Sequence, residues 1–129
     1  MSPRKKKRYQ RGEYVSSKTG LLCKYRSGWE LAYMQYLDSS QEVKEWLYES
    51  FSIEYVSNKQ SGKIRRYIPD FKIIYLDGSI ELVEVKPKKK LGQLMIRKKC
   101  DAANAWCMTH GMAFKIVTEN ELRSLGLIK

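Results

Sequence analysis

Tyr67-Ile68-Pro69-Asp70-Phe71-Lys72-Ile73-Ile74-Tyr75-Leu76-Asp77-Gly78-Ser79-Ile80-Glu81-Leu82-Val83-Glu84-Val85-Lys86 is the stretch whose reading decides the fold. β-Branched and aromatic residues dominate on both sides of Asp77-Gly78, a dipeptide that marks a hairpin turn. Residues 68–76 and 80–85 are apolar on both faces, which suits central strands covered on two sides. Strand side chains alternate, so Glu84 and Lys86 share a face roughly 7 Å apart. The turn then decides where Asp70 lies. A two-residue Asp77-Gly78 loop pairs 70 with 85 and sends Asp70 to the face opposite Glu84. A three-residue loop Leu76-Asp77-Gly78, with Gly78 left-handed, pairs 75 with 79 and therefore 70 with 84. We expect that loop or an equivalent bulge, with the Cβ atoms of Asp70 and Glu84 roughly 5 Å apart.

Two carboxylates that close repel each other unless a cation lies between them. Hard oxygen ligands completed by water and a substrate phosphate suit Mg²⁺, with Mn²⁺ as its usual substitute. The carbonyl of Val85 is a candidate backbone ligand. An ion there lowers the pKa of its water and offsets charge developing on a phosphodiester. Lys86 has three open roles: orienting the nucleophile, deprotonating it, or holding a nonbridging phosphate oxygen. The plainer alternative is a surface cross-strand trio of charges. Against it, these charges interrupt apolar strands, where an unpaired buried charge is expensive.

Outward from this hairpin, Ser27-Gly28-Trp29-Glu30 is a capping box that opens a helix. Trp29, Ala32, Tyr33, Tyr36 and Leu37 recur behind it at helical spacing. A second short helical piece is expected over 42–48. Strands follow over 51–57, 65–76 and 79–87, with a turn at 59–63. Helical patterning returns over 91–109 and ends at Gly111. A strand over 113–117 and a short helix opened by Thr118-Glu119-Asn120-Glu121 complete the chain. The crossover from 79–87 through the helix to 113–117 should be right-handed and pair those strands in parallel. The expected class is α/β, ordered α-β-β-β-α-β with a short C-terminal helix, its mixed central sheet flanked by helices. Residues 1–20 show no periodicity and read as a basic flexible arm; 21–129 read as one domain.

Composition narrows the partners. A chain of 129 residues can bury a real core, and 43% of them are hydrophobic. No apolar run approaches the ~20 residues of a membrane span, and no apolar segment follows the basic start, so neither a membrane protein nor a secretory signal is expected. The net charge of +11 is carried by two blocks. Arg4, Lys5, Lys6, Lys7, Arg8 and Arg11 form one; Lys86, Lys88, Lys89, Lys90, Arg97, Lys98 and Lys99 form the other. Neither block contains an acid, and the remainder nets −2. Such clustering is the footprint of a polyanion-binding face; a solubilising tail plus a solvated helix face is the alternative. Cys23, Cys100, Cys107 and His110 lack zinc-site spacing and read as structural in an intracellular chain.

Pro69-Asp70 followed by Glu84-Val85-Lys86, in this element order, resembles the PD-(D/E)XK nuclease superfamily with its restriction-endonuclease-like core. Tyr25-Arg26-Ser27-Gly28-Trp29-Glu30, Arg65-Arg66-Tyr67-Ile68-Pro69-Asp70-Phe71 and Glu84-Val85-Lys86-Pro87 look more particularly like the TnsA-type endonuclease domain and the phage head-completion nucleases. The resemblance spans roughly 24–118. It implies a metal-dependent DNA endonuclease in which Asp70 and Glu84 bind Mg²⁺ and Lys86 is the catalytic lysine. It maps Glu30 onto the acid that completes the site, through a second metal or a water, although the capping box alone accounts for a glutamate there. Gln93 lies where some relatives carry an extra polar residue and is left unassigned. Arg65, Arg66, Lys88, Lys89, Lys90, Arg97, Lys98 and Lys99 are the expected phosphate contacts. The resemblance implies a phage origin, the host cytoplasm or the virion as location, and a homodimer or phage head proteins as candidate partners. A DNA-binding structural protein engaging packaged genome ends, and an RNA-directed nuclease, are the rival readings.

Overall fold

The computed structural model describes residues 10–129. Four strands form the central sheet, β3 (Val43–Tyr48), β6 (Phe71–Tyr75), β7 (Ile80–Val85) and β8 (Ala113–Val117), in the order β3-β6-β7-β8. The first two pairings are antiparallel and β7–β8 is parallel, so the sheet is mixed. Two hairpins flank it, β1 (Gly12–Val15) with β2 (Leu22–Tyr25), and β4 (Ile53–Asn58) with β5 (Lys63–Tyr67). The helices are α1 (Gly28–Ser39), α2 (Leu94–Thr109) and α3 (Glu119–Ser124). This is a mixed α/β architecture compatible with a restriction-endonuclease-like core.

Each sheet face has its own core. Met34 and Leu37 of α1 meet Phe71, Ile73, Val83 and Val117 on one face. On the other, Ala103 and Cys107 of α2 meet Leu82, with Ile53 and Tyr67 from the base of the β4–β5 hairpin. Cys23, Cys100 and Cys107 are free thiols; Cys23 and Cys107 are buried. His110 ends α2, stacked on Trp106 at 3.9 Å between ring centroids. Among the described residues, no helix is long and apolar enough to cross a membrane.

Three expectations need correction. Residues 42–48 form strand β3, not a helix. A bulge between Val43 and Glu45 inserts one extra residue, so Val43 and Trp46, three apart, both point inward and imitate helical spacing. Residues 65–76 are two strands, because the chain leaves the β4–β5 hairpin at Tyr67 and enters the central sheet only at Phe71. Pro69, which has no N–H to give a ladder, sits at the break. Finally, residues 12–20 of the expected arm belong to the fold: β1 pairs with β2. Asp38 accepts hydrogen bonds from Tyr14 Oη (2.5 Å), Ser16 Oγ (2.6 Å), the Ser17 N–H (2.9 Å) and Trp46 Nε1 (2.8 Å). Polar bonds and the packing of Tyr14 on the core, not apolar periodicity, hold this segment. Arg4 to Arg8 of the basic block lie outside the described residues.

Candidate active site at the end of the central hairpin

The β6–β7 hairpin turns through Leu76-Asp77-Gly78. The Tyr75 N–H meets Ser79 O at 2.9 Å, and Gly78 adopts φ 89°, where a side chain would be strained. Asp77 Oδ1 accepts from the Ser79 N–H (2.8 Å) and Ser79 Oγ (2.6 Å), fixing the turn. The register pairs Phe71 with Val83 and Ile74 with Ile80, so Asp70 stands opposite Glu84. This is the three-residue loop expected from the sequence.

At the open end of the hairpin, the Asp70 N–H donates to Glu84 Oε1 (3.2 Å) and the Val85 N–H donates to Asp70 Oδ2 (2.8 Å). Lys86 Nζ stands 3.9 Å from Glu84 Oε2. Burial, then the neighbouring Glu84 and Glu30 carboxylates, hold the Asp70 carboxyl well above its usual range. Burial likewise pushes Glu84 up, against the opposing pull of the neighbouring Tyr67 hydroxyl and of Lys86 and Lys99. Glu84 is only 6% exposed. Adjacent carboxyls, one half-buried and one buried, with one ammonium nearby form a site that a divalent cation would neutralise, and their oxygens are the hard donors Mg²⁺ takes. The donor set fits such an ion. At Val85 the structure shows the backbone N–H in use, bonded to Asp70.

Glu30 faces the same space from the start of α1. A cavity of about 220 Å³ is lined by Glu30, Asp70, Val85, Lys86 and Lys90, with Arg26 and Trp29 at its side. The capping box is formed: the Glu30 N–H donates to Ser27 Oγ (3.1 Å), and Glu30 Oε1 accepts from the Arg26 N–H (2.7 Å). The same Oε1 also accepts from Tyr48 Oη (2.8 Å). Glu30 is thus both a cap and a carboxylate of the cavity. Among the described residues, no group of three His, Cys, Asp or Glu side chains forms a ready metal cage. The convergent acids are therefore the pair Asp70 and Glu84, with Glu30 across the cavity.

Two neighbours were not singled out from the sequence. Tyr67 is buried with its hydroxyl against Glu84 but without a well-formed hydrogen bond, and burial raises its pKa. The Glu49 N–H donates to the Asp70 carbonyl (2.9 Å) from a left-handed φ of 48°, and Glu49 Oε2 pairs with Arg26 Nη2 at 3.1 Å. Left-handed backbone at a non-glycine residue is a form of strain that collects at functional sites. Tyr67 stood inside the motif but read as a core aromatic; nothing in the sequence marks the turn at Glu49.

The expected phosphate contacts divide into groups. Lys90 lines the cavity, and Lys99, on α2, acts on Glu84. Lys88, Lys89 and Arg97 are exposed nearby. Arg65 and Lys98 line a separate groove beside the β4–β5 hairpin, and Lys98 Nζ donates to the Ser57 carbonyl (2.7 Å). Arg66 points elsewhere, 3.8 Å from Glu54 on the exposed hairpin surface. Gln93 caps α2 without a side-chain bond, exposed and outside the cavity lining.

Comparison with known proteins bears on this arrangement. The family described as "TnsA-like endonuclease N terminal" matches residues 40–119. The "Head completion nuclease" of Enterobacteria phage T4 is 30% identical over 124 residues, covering 79% of this chain and 82% of that protein.

Proposed function

Because the chain belongs to the TnsA-like endonuclease N-terminal family, we propose that it is a Mg²⁺-dependent DNA endonuclease of the PD-(D/E)XK type that hydrolyses phosphodiester bonds. The observation that carries this reading is the Asp70–Glu84 pair, a half-buried and a buried carboxyl opposite each other on one hairpin with Lys86 Nζ 3.9 Å from the second. Asp70 and Glu84 would hold the ion. When bound, Mg²⁺ supplies Lewis acidity toward water and phosphate oxygen. Among the described residues Lys86 is the ammonium closest to that pair and serves as the catalytic lysine, set to hold a nonbridging phosphate oxygen or to orient the nucleophile. Glu30 faces the pair across the cavity and keeps that wall anionic. Lys88, Lys89, Lys90, Arg97 and Lys99 lead away from Lys86 and give the phosphate backbone its path; such contacts position DNA without reading its sequence.

Head completion is the role named for the T4 relative, and it fits a small basic nuclease that processes DNA at the phage head. The test is cleavage of plasmid DNA with Mg²⁺, Mn²⁺ or chelator. Asp70→Ala and Lys86→Ala should each lower cutting by at least ~10³-fold, the scale of losing an essential group, while still shifting DNA in a gel. Wild-type cutting in either variant would refute the site assignment. Binding without cutting by the intact chain would favour the structural DNA-binding protein instead.

A further inference from the structure

Between the β4–β5 hairpin and the first turns of α2 runs a groove of about 450 Å³, lined by Tyr55, Lys63, Arg65, Leu94, Met95 and Lys98. No carboxylate lines it. Leu94 is 66% and Met95 53% exposed, and neither belongs to the two core clusters. Tyr55 is anchored, packed against the cluster of Ile53 and Leu82. The Lys98–Ser57 bond ties helix to hairpin across the groove.

Both walls are continuous with the site described above. Strand β5 runs through Pro69 into Asp70, and α2 follows from Lys86 through the Lys88–Lys90 turn. Duplex DNA shows such a surface phosphate, sugar and base edges, while its base faces are stacked inside. A groove built for duplex backbone alone has no use for two exposed apolar side chains and an aromatic ring. An unpaired strand offers charge and an open π-face together, and basic grooves with apolar or aromatic floors are how proteins hold it.

We propose that this groove binds an unpaired segment of DNA, so that the preferred substrate is a junction or end where duplex passes into single strand. The inference rests on the endonuclease reading and names its substrate class. Lys63, Arg65 and Lys98 hold the strand's phosphates; Tyr55, Leu94 and Met95 receive a base.

The test measures fluorescence anisotropy of the full chain carrying Asp70→Asn, which prevents turnover. The probes are a blunt duplex, the same duplex with a short oligo-dT tail, and oligo-dT alone. The tailed duplex should bind ~10-fold or more tightly than the blunt one, the scale of stacking one base. Leu94→Ser with Met95→Ser, both at exposed positions, should bring the tailed duplex down to the blunt value; Tyr55→Phe should keep the preference. Equal affinity for blunt and tailed DNA, or a preference that survives the Leu94/Met95 double change, overturns the proposal. Failure of the wild-type chain to cut any DNA with Mg²⁺ would sink the endonuclease reading without touching the measured tail preference. Cutting of blunt and tailed DNA at equal rates, with equal binding, would sink this inference alone.

Discussion

Glu30 carries two jobs on one carboxylate, and chemistry can separate them. Its Oε1 closes the capping box and accepts from Tyr48 Oη, while its charge faces Asp70. Glu30→Gln keeps an acceptor oxygen but removes the charge. It should melt within a few degrees of wild type yet cut DNA at least ~10-fold more slowly, whereas Glu30→Ala should lose about 1 kcal/mol of stability as well. Circular-dichroism melts beside a nicking assay read both; full activity in Glu30→Gln would leave the residue only a cap. Asp70 makes a complementary prediction. Its native carboxyl holds a proton above the ordinary range, and the unfolded chain releases it near pH 4. Native and unfolded forms are both protonated below that pH. As pH rises the unfolded chain gives up its proton first, so metal-free stability falls until the raised native value is passed. In chelator, Asp70→Asn should therefore be more stable than wild type at neutral pH, with the difference vanishing toward pH 3–4. Added Mg²⁺ should raise the wild-type melting temperature more than that of Asp70→Asn.

The same residues show how much the sequence disclosed. Asp70, Glu84 and Lys86 were legible because strand periodicity and one turn fix their relation. Tyr67 was not, since a buried tyrosine beside a carboxylate reads no differently from a core tyrosine until the fold joins them. At the scale of elements, regular stretches were legible and interrupted ones were not. The helix opening at Ser27, the central hairpin and the parallel β7–β8 pairing all follow from local pattern. Strand β3 was hidden by its bulge, and β1 by its dependence on Asp38, a residue more than twenty positions away. That dependence is measurable. Asp38→Ala leaves Ser16 Oγ and Trp46 Nε1 without their acceptor inside the fold, and should cost about 3 kcal/mol. It should also expose the β1–β2 hairpin to protease before the central sheet unfolds. Uniform loss of stability with no early cleavage would show that the hairpin is held by other contacts.

For the whole molecule, charge distribution governs behaviour. The acid-free block from Lys86 to Lys99 emerges beside the carboxylate pair, and the helix it enters also walls the groove by the β4–β5 hairpin. Engaging six to ten phosphates should make DNA affinity fall by ~10³–10⁵ between 50 and 200 mM salt. Changing Lys88, Lys89 and Lys90 together to Ala should flatten the slope of log affinity against log salt by about 2–3, at roughly 0.9 per phosphate contact on duplex DNA. An unchanged slope would mean that these lysines face solvent in the complex.

Surface turns of three residues are ordinarily where a chain tolerates gain or loss of length. The turn at Leu76-Asp77-Gly78 is exposed, yet it lies roughly 20 Å along the strands from Asp70 and Glu84, at ~3.4 Å per residue. If the loop were held to three residues, one residue added or removed there would shift β7 by one position against β6 and send Glu84 to the opposite face. Chain length at this remote tip therefore acts as a ratchet on which acids can meet.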